Sequence, residues 1–331
     1  MEKQVHITFD YELFFGSASG TVDRCMIEPS ELLRELAFKH HVKFVFFVDA
    51  GFLHRLKSYR HIPACARDFD LVATQLRFLN LSGHEIALHV HPHWEDCTFE
   101  SGRWKINTTR YKLSDFSEAE IKSIISKYHD TLTEIVGKPC TSFRAGGWCI
   151  QPFSKIREAL GENKIFTDSS VYRNGYHQFT AQSYDFRNAP DKEVWKFSDN
   201  ECAEDPNGAF TEIAITPDKI SPLFYFNLYL KMRSNPAWYK PMGDGSWLKD
   251  KKKIYKQFYS FTNHFATCDG YFASRLKSIL LETEAKGKNR MCVLAHPKSM
   301  AACSFQYIEE FIIFAQSKGY RFATLHEAAK K

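Results

Sequence analysis

The sequence predicts an α/β fold in which parallel strands alternate with helices. Three observations carry this expectation. Short apolar runs rich in β-branched and aromatic residues recur along the chain, segments with helical periodicity separate them, and most runs end in a residue able to do chemistry. With 331 residues, 44% hydrophobic and 25% charged, the chain can bury a sizeable core. That composition excludes disorder, collagen and coiled coil. The alternation alone leaves an open doubly wound sheet and a barrel equally admissible.

Taken in order, Val5–Phe9 reads as a buried strand, Pro29–Lys39 as a helix and Val42–Val48 as a second strand. Leu71–Leu81 has helical spacing, and Gly83 opens a third strand at Glu85–Val90. Ser117 and Glu120 have the spacing of a capping box. The helix they start places Ile121, Ile124, Ile125, Tyr128, Leu132 and Ile135 on one stripe, and Gly137 and Pro139 stop it. A strand at Ser142–Arg144, a helix near Phe153–Leu160 and a strand at Lys164–Thr167 follow. Met291–Ala295 (strand), Phe305–Gln316 (helix, closed by Gly319) and Tyr320–Leu325 (strand) complete the pattern. Residues 197–290 break the rhythm with DPNG, SNPAW, KPMGDGSW and ATCDGYF, and read as an insertion or lid within a single catalytic domain of residues 1–331. No GxGxxG and no P-loop occurs, so nucleotide-binding readings lose support.

The net charge of +5 comes from scattered residues and gives little support to a nucleic-acid or membrane partner. Lys249–Lys253, interrupted by Asp250, reads as a solvated face. The nine cysteines include no CxxC pair, and the first strand begins with no signal peptide before it, so a reducing cytoplasm is expected. No apolar stretch reaches the ~18 residues of a membrane span. The most lipid-like segment, Leu223–Leu230 (LFYFNLYL), is too short.

Five clusters carry candidate chemistry. In TFDYE, strand alternation puts Asp10 and Glu12 on one side. In GHEIALHVHPHW, imidazoles at 89, 91 and 93 follow an apolar strand and could hold a metal. Pro92 restricts His91 and favours a turn in which His89 and His93 converge, with His91 able to replace either. FRAGGW supplies Arg144, able to hold a carboxylate, with two glycines that permit close backbone approach. Asp168 in TDSS and His296 in LAHP again end strands, and His296 is the candidate general acid.

In this order the motifs resemble those of the polysaccharide deacetylases, the NodB-homology or carbohydrate esterase 4 family. TFDYE resembles TFDD, GHEIALHVHPH resembles GHEIGNHTxxH, and FRAGG, FTDSSV and LAHP resemble the third, fourth and fifth motifs. The resemblance implies a deformed (β/α)7 barrel, here with the insertion before the last strands. It implies one divalent metal, zinc first, held by Glu12, His89 and His93. Asp10 would be the catalytic base, Arg144 its partner, His296 the acid and Asp168 the residue that tunes His296. Tyr11 stands where the family has its metal-binding aspartate, so Glu12 takes that role, and a swap with Asp10 stays open. The implied activity is removal of an acyl group from an N-acylated amino sugar in bacterial surface polysaccharide or lipopolysaccharide biosynthesis. Trp148, Tyr11 and Trp247 are the expected sugar-binding aromatics, and Asp244 a weaker candidate. Two rivals accompany this reading: a hydrolase of cyclic imides or ureides on the same fold, and a non-catalytic glycan-binding or scaffold protein with a degenerate site.

Overall fold

The computed structural model describes residues 2–247 and 256–329. The basic run at 249–253 and a part of the expected insertion lie outside the described residues. The chain divides into two compact units, residues 1–44 with 215–323, and residues 45–214 with 324–331.

The elements that position chemistry run in chain order as follows. Strand β1 (Gln4–Tyr11) and helix α1 (Glu28–His40) precede β2 (Val45–Asp49), α2 (Ala50–Ser58), α3 (Pro63–Leu81) and β3 (Glu85–Val90). Then come α4 (Glu118–Val136), β4 (Ser142–Ala145), α5 (Arg157–Glu162), β5 (Thr167–Asp168), β6 (Val194–Phe197) and β7 (Phe210–Ile213). The rest comprises β8 (Pro217–Ile220), α6 (Pro222–Ser234), β9 (Thr262–Phe265), α7 (Leu276–Ala285), β10 (Arg290–Ala295), α8 (Ala302–Ser317), β11 (Arg321–Phe322) and α9 (Leu325–Ala329).

In the first unit β1 pairs in parallel with β10, from Gln4 opposite Arg290 to Phe9 opposite Ala295, and with β11. Every residue of β1 is buried, so the strand shows no polar alternation, as expected of a parallel strand covered on both faces. Helices α1 and α8 pack together. The β8–β9 hairpin is tied to β10 through Thr216 N–H donating to Cys292 O and Leu294 N–H donating to Ala266 O.

In the second unit β2, β3, β4, β5 and β7 run parallel in that order, and β6 pairs antiparallel with β7. Helices α2, α3 and α4 pack on one another. The capping box at Ser117 and Glu120 forms, and Gly137 closes α4 in the left-handed region at φ 80°. Val45, Phe47, Ala87 and Ile213 pack with Leu325 and Ala328 of α9.

Several boundaries differ from the sequence expectation: β2 starts at Val45, α5 at Arg157 and α8 at Ala302. Helix α3 begins at Pro63, because Cys65, Phe69, Val72, Ala73, Leu76 and Leu79 extend its buried stripe toward the N-terminus. The strand expected at Lys164–Thr167 is β5, which starts three residues later, since Lys164 takes φ 58° in the turn after α5. The last strand shrinks to Arg321–Phe322, and Leu325 starts α9 instead.

Candidate functional site

The C-terminal end of β1 supplies Asp10 and Glu12, both buried. Tyr11 lies between them and has no exposed surface, which corrects its assignment as a sugar-binding aromatic: the alternation that brings the carboxylates forward turns Tyr11 into the core. Burial also pushes its phenol well above the ordinary value.

The parallel register that sets Phe9 opposite Ala295 brings His296 beside Asp10. His296 Nε2 lies 3.9 Å from Asp10 Oδ2 and 3.8 Å from Glu12 Oε1. Its backbone N–H donates to Asp269 Oδ1 at 2.8 Å, and its Nδ1 to Asp269 Oδ2 at 2.9 Å. Burial alone would lower the imidazole's pKa. The charge and hydrogen bond of Asp269, with the charge of Asp10, outweigh it and hold the pKa above the ordinary value. Asp269 is thus the carboxylate hydrogen-bonded to His296, the position in which the resemblance expects Asp168 to act.

Lys298 is a second residue the sequence reading missed. Its ammonium is buried and donates to Glu12 Oε1 at 2.8 Å and to Leu13 O at 2.6 Å. The rings of Phe14, Phe15 and Trp247 lie 4.9, 5.2 and 4.8 Å from it. Breaking a buried ion pair by removing one partner strands the other charge. Lys298→Met should therefore lower the stability of chelator-treated protein by about 3–5 kcal/mol, read from urea denaturation. An unchanged midpoint would show that Glu12 does not depend on Lys298.

Trp247 is half exposed, and its ring stands 5.7 Å from that of His296, edge to face. Asp244, the weaker sugar-binding candidate, is engaged by Thr21. Both of its oxygens accept from Thr21, at 2.7 Å from the backbone N–H and 2.9 Å from the hydroxyl, which pins the 243–247 loop.

In the second unit β3 places His89 opposite Arg144 of β4. His89 Nδ1 lies 2.9 Å from the Arg144 carbonyl oxygen. Only a protonated Nδ1 can bond a carbonyl, so Nε2 keeps its lone pair, the arrangement found behind metal-binding histidines. The rings of His89 and His91 stand 4.7 Å apart and nearly perpendicular. A ring nitrogen of each lies within 4.8 Å of the other. Gly146 permits this placement of His91: a Cβ there would meet His91 Nδ1 at 2.5 Å and Val90 O at 2.6 Å. His93 is stacked against Trp94 and Tyr111 at centroid distances of 5.4 and 5.3 Å. Two buried imidazoles, one oriented by a backbone carbonyl, fit the donor chemistry of a zinc-type ion.

Arg144 is buried, with Nε donating to Ser169 O at 2.6 Å and its guanidinium 3.9 Å from the Phe47 ring centroid. Asp168 accepts from Ser170 N–H and Oγ–H at 3.1 and 2.8 Å. It faces Glu212 across the β5–β7 register. Burial raises both carboxyl pKa values. For Glu212 the charge and hydrogen bond of Asp168 raise it further. Trp148 is partly buried, 5.9 Å from Tyr172 and 5.6 Å from Tyr184.

No family model matches the chain, and no curated protein matches it in sequence. Solved structures do match. A presumed polysaccharide deacetylase from Mycobacterium smegmatis aligns over 100% of this chain and 90% of its own, at 15% identity and a TM-score of 0.54. The chain has the fold of the polysaccharide deacetylases. The mixed α/β class expected above, with the deformed barrel of that family, is therefore the fold found. A polysaccharide deacetylase from Bacillus cereus aligns over 98% of this chain and 92% of its own, at 13% identity and a TM-score of 0.43. A variant of a peptidoglycan deacetylase from Bacillus subtilis aligns over 99% and 91%, at 12% and 0.42.

Proposed function

We propose that this chain is a divergent polysaccharide deacetylase that hydrolyses the amide of an N-acylated amino sugar with one divalent metal, zinc first. The observation that carries the reading is the group at the ends of β1 and β10: His296 oriented by Asp269 and facing Asp10 and Glu12. Glu12, His89 and His91 would hold the ion. His91 replaces His93 in this set because its nitrogen approaches that of His89, whereas His93 is engaged in aromatic stacking. When bound, the ion would polarise the acyl carbonyl and lower the pKa of a water toward ~7.

Asp10 is the base that takes a proton from the attacking water. His296 is the acid: its Nε2 gives a proton to the amine, a poor leaving group until protonated. The raised pKa of His296 keeps that proton available near neutrality. Arg144 orients the base, and Trp247 forms a wall against which a sugar ring can stack. Trp148 is assigned the same role. We place the substrate among amino-sugar precursors of bacterial surface polysaccharide or lipopolysaccharide. A reducing, cytoplasmic setting remains the proposal, motivated by nine cysteines without a CxxC pair.

Metal analysis after purification tests the site. His91→Ala should lose the ion, while His93→Phe should keep it together with release of acetate from N-acetylated chito-oligosaccharide. Retention of the ion by His91→Ala with loss by His93→Phe would restore the pairing of His89 with His93. A wild-type chain that holds the ion and releases no acetate from any N-acylated sugar would remove the substrate assignment.

A further inference from the structure

Helix α6 carries the segment LFYFNLYL, which the hydrolase reading leaves without a role. One side of the helix is anchored. Tyr225 is buried, with its hydroxyl 2.7 Å from Thr262 Oγ1, and Phe224 stacks on Tyr271 at 5.2 Å. The other side is apolar and exposed: Leu223 is 66% exposed, Phe226 51% and Leu230 47%, at the three- and four-residue spacing of one helical face. Tyr229 and Met232 flank this stripe and are exposed as well. A helix that anchors two rings and leaves most of its other large apolar side chains in water is an anomaly for a soluble surface.

A second stretch joins it. Antiparallel pairing of β8 with β9 sets Ile220 opposite Thr262, so α6 leaves the hairpin at the end where residues 256–261 enter it. There Phe258, Tyr259 and Phe261 are exposed. Between Asp218, which pairs with Arg275, and Asp244, which accepts from Thr21, the sequence carries charge of one sign. Residues 219–243 contain Lys219, Lys231, Arg233 and Lys240 and no acidic residue. These cations reach aromatic groups: Lys219 lies 5.3 Å from the Phe261 ring centroid, Lys231 5.0 Å from that of Tyr271, and Arg233 donates to Tyr229 Oη at 3.0 Å.

We propose that α6 and residues 256–261 form an interfacial docking surface for a bilayer that carries anionic headgroups. The exposed stripe would enter the headgroup–acyl boundary while the lysines and arginine meet lipid phosphates. Charge selects this occupant over a second copy of the chain, since a two-fold contact would press two acid-free basic patches together. Scattered basic residues gave little support to a membrane partner in the sequence, whereas the hairpin gathers several of them beside the apolar stripe. The inference does not depend on the hydrolase reading.

The test is co-sedimentation of the full chain with vesicles of phosphatidylcholine alone and of phosphatidylcholine with phosphatidylglycerol. Binding to the mixed vesicles is expected, weakened by salt. The pair Phe226→Ser and Leu230→Ser should lower the partition coefficient about tenfold or more. Lys231→Glu with Arg233→Glu should abolish the preference for phosphatidylglycerol. Phe226, Leu230 and Arg233 are exposed and Lys231 is half-buried, and unchanged thermal melts confirm that each variant folds. Wild-type protein that stays in the supernatant with both vesicles overturns the proposal, as does equal binding by the serine variant. A wild-type dimer that the serine substitutions convert to monomer also overturns it, because a second copy then covers the face.

Discussion

Asp10→Asn should leave the metal content at that of the wild type and lower kcat by about 10²–10⁴-fold, the range associated with losing a positioned base. Glu12→Gln should do the opposite first, emptying the ion before any rate can be measured. Both carboxylates sit at the end of β1 and both face His296 Nε2 at nearly the same distance, so distance to the acid does not assign their roles. Their partners do. Glu12 is bonded to the buried ammonium of Lys298, which fixes one oxygen and the orientation of the carboxylate. That rigidity suits a ligand, whose position must not change during turnover. Metal analysis beside single-turnover kinetics reads the two effects separately. Loss of the ion from Asp10→Asn, with retention in Glu12→Gln, would exchange the two assignments.

Asp269→Asn should lower kcat by roughly 10²-fold or more with little change in KM, and should leave the metal content unaltered. The asparagine oxygen can still accept from His296 Nδ1, while its NH2 group then faces the His296 backbone N–H, which loses its acceptor; the negative charge that stabilises the imidazolium is gone. Asp269 is among the causes that hold the His296 pKa above its ordinary value. Removing that charge lets burial lower the pKa. An acid whose pKa falls is deprotonated earlier as pH rises, so the alkaline limb of the rate profile should move to lower pH. A residue that served only packing would lower activity at every pH without moving the limb. An unmoved limb would therefore take Asp269 out of the proton-transfer machinery.

Much of the α/β framework was legible because its signals are local. Glu85–Val90 and the Ser117–Glu120 cap are read directly from apolar runs and capping chemistry. Asp10, Glu12 and His296 were legible because they follow such runs. Asp269 was not, although ATCDGYF was noticed. Its importance depends on hydrogen bonds that tie residues 262–266 to β10, a pairing with no short-range signal. Lys298 lies two residues past a recognised histidine and looks like a surface lysine until burial reveals its partner. Placement of the imidazoles turns on Gly146: the two glycines of FRAGG were read as permitting close approach, and the group that approaches is His91. Tyr11 was misread because one residue's step along β1 decides between site and core.

The ion pair between Lys298 and Glu12 bears on the order of maturation. Many small metalloproteins fold only as the ion arrives, because no preformed site exists without it and the binding energy is the folding energy. Here the lysine already supplies a counter-charge to the carboxylate at the end of β1. With that counter-charge built in, a nascent polypeptide that takes the proposed cation would be able to fold first and load last, from whatever pool it then meets.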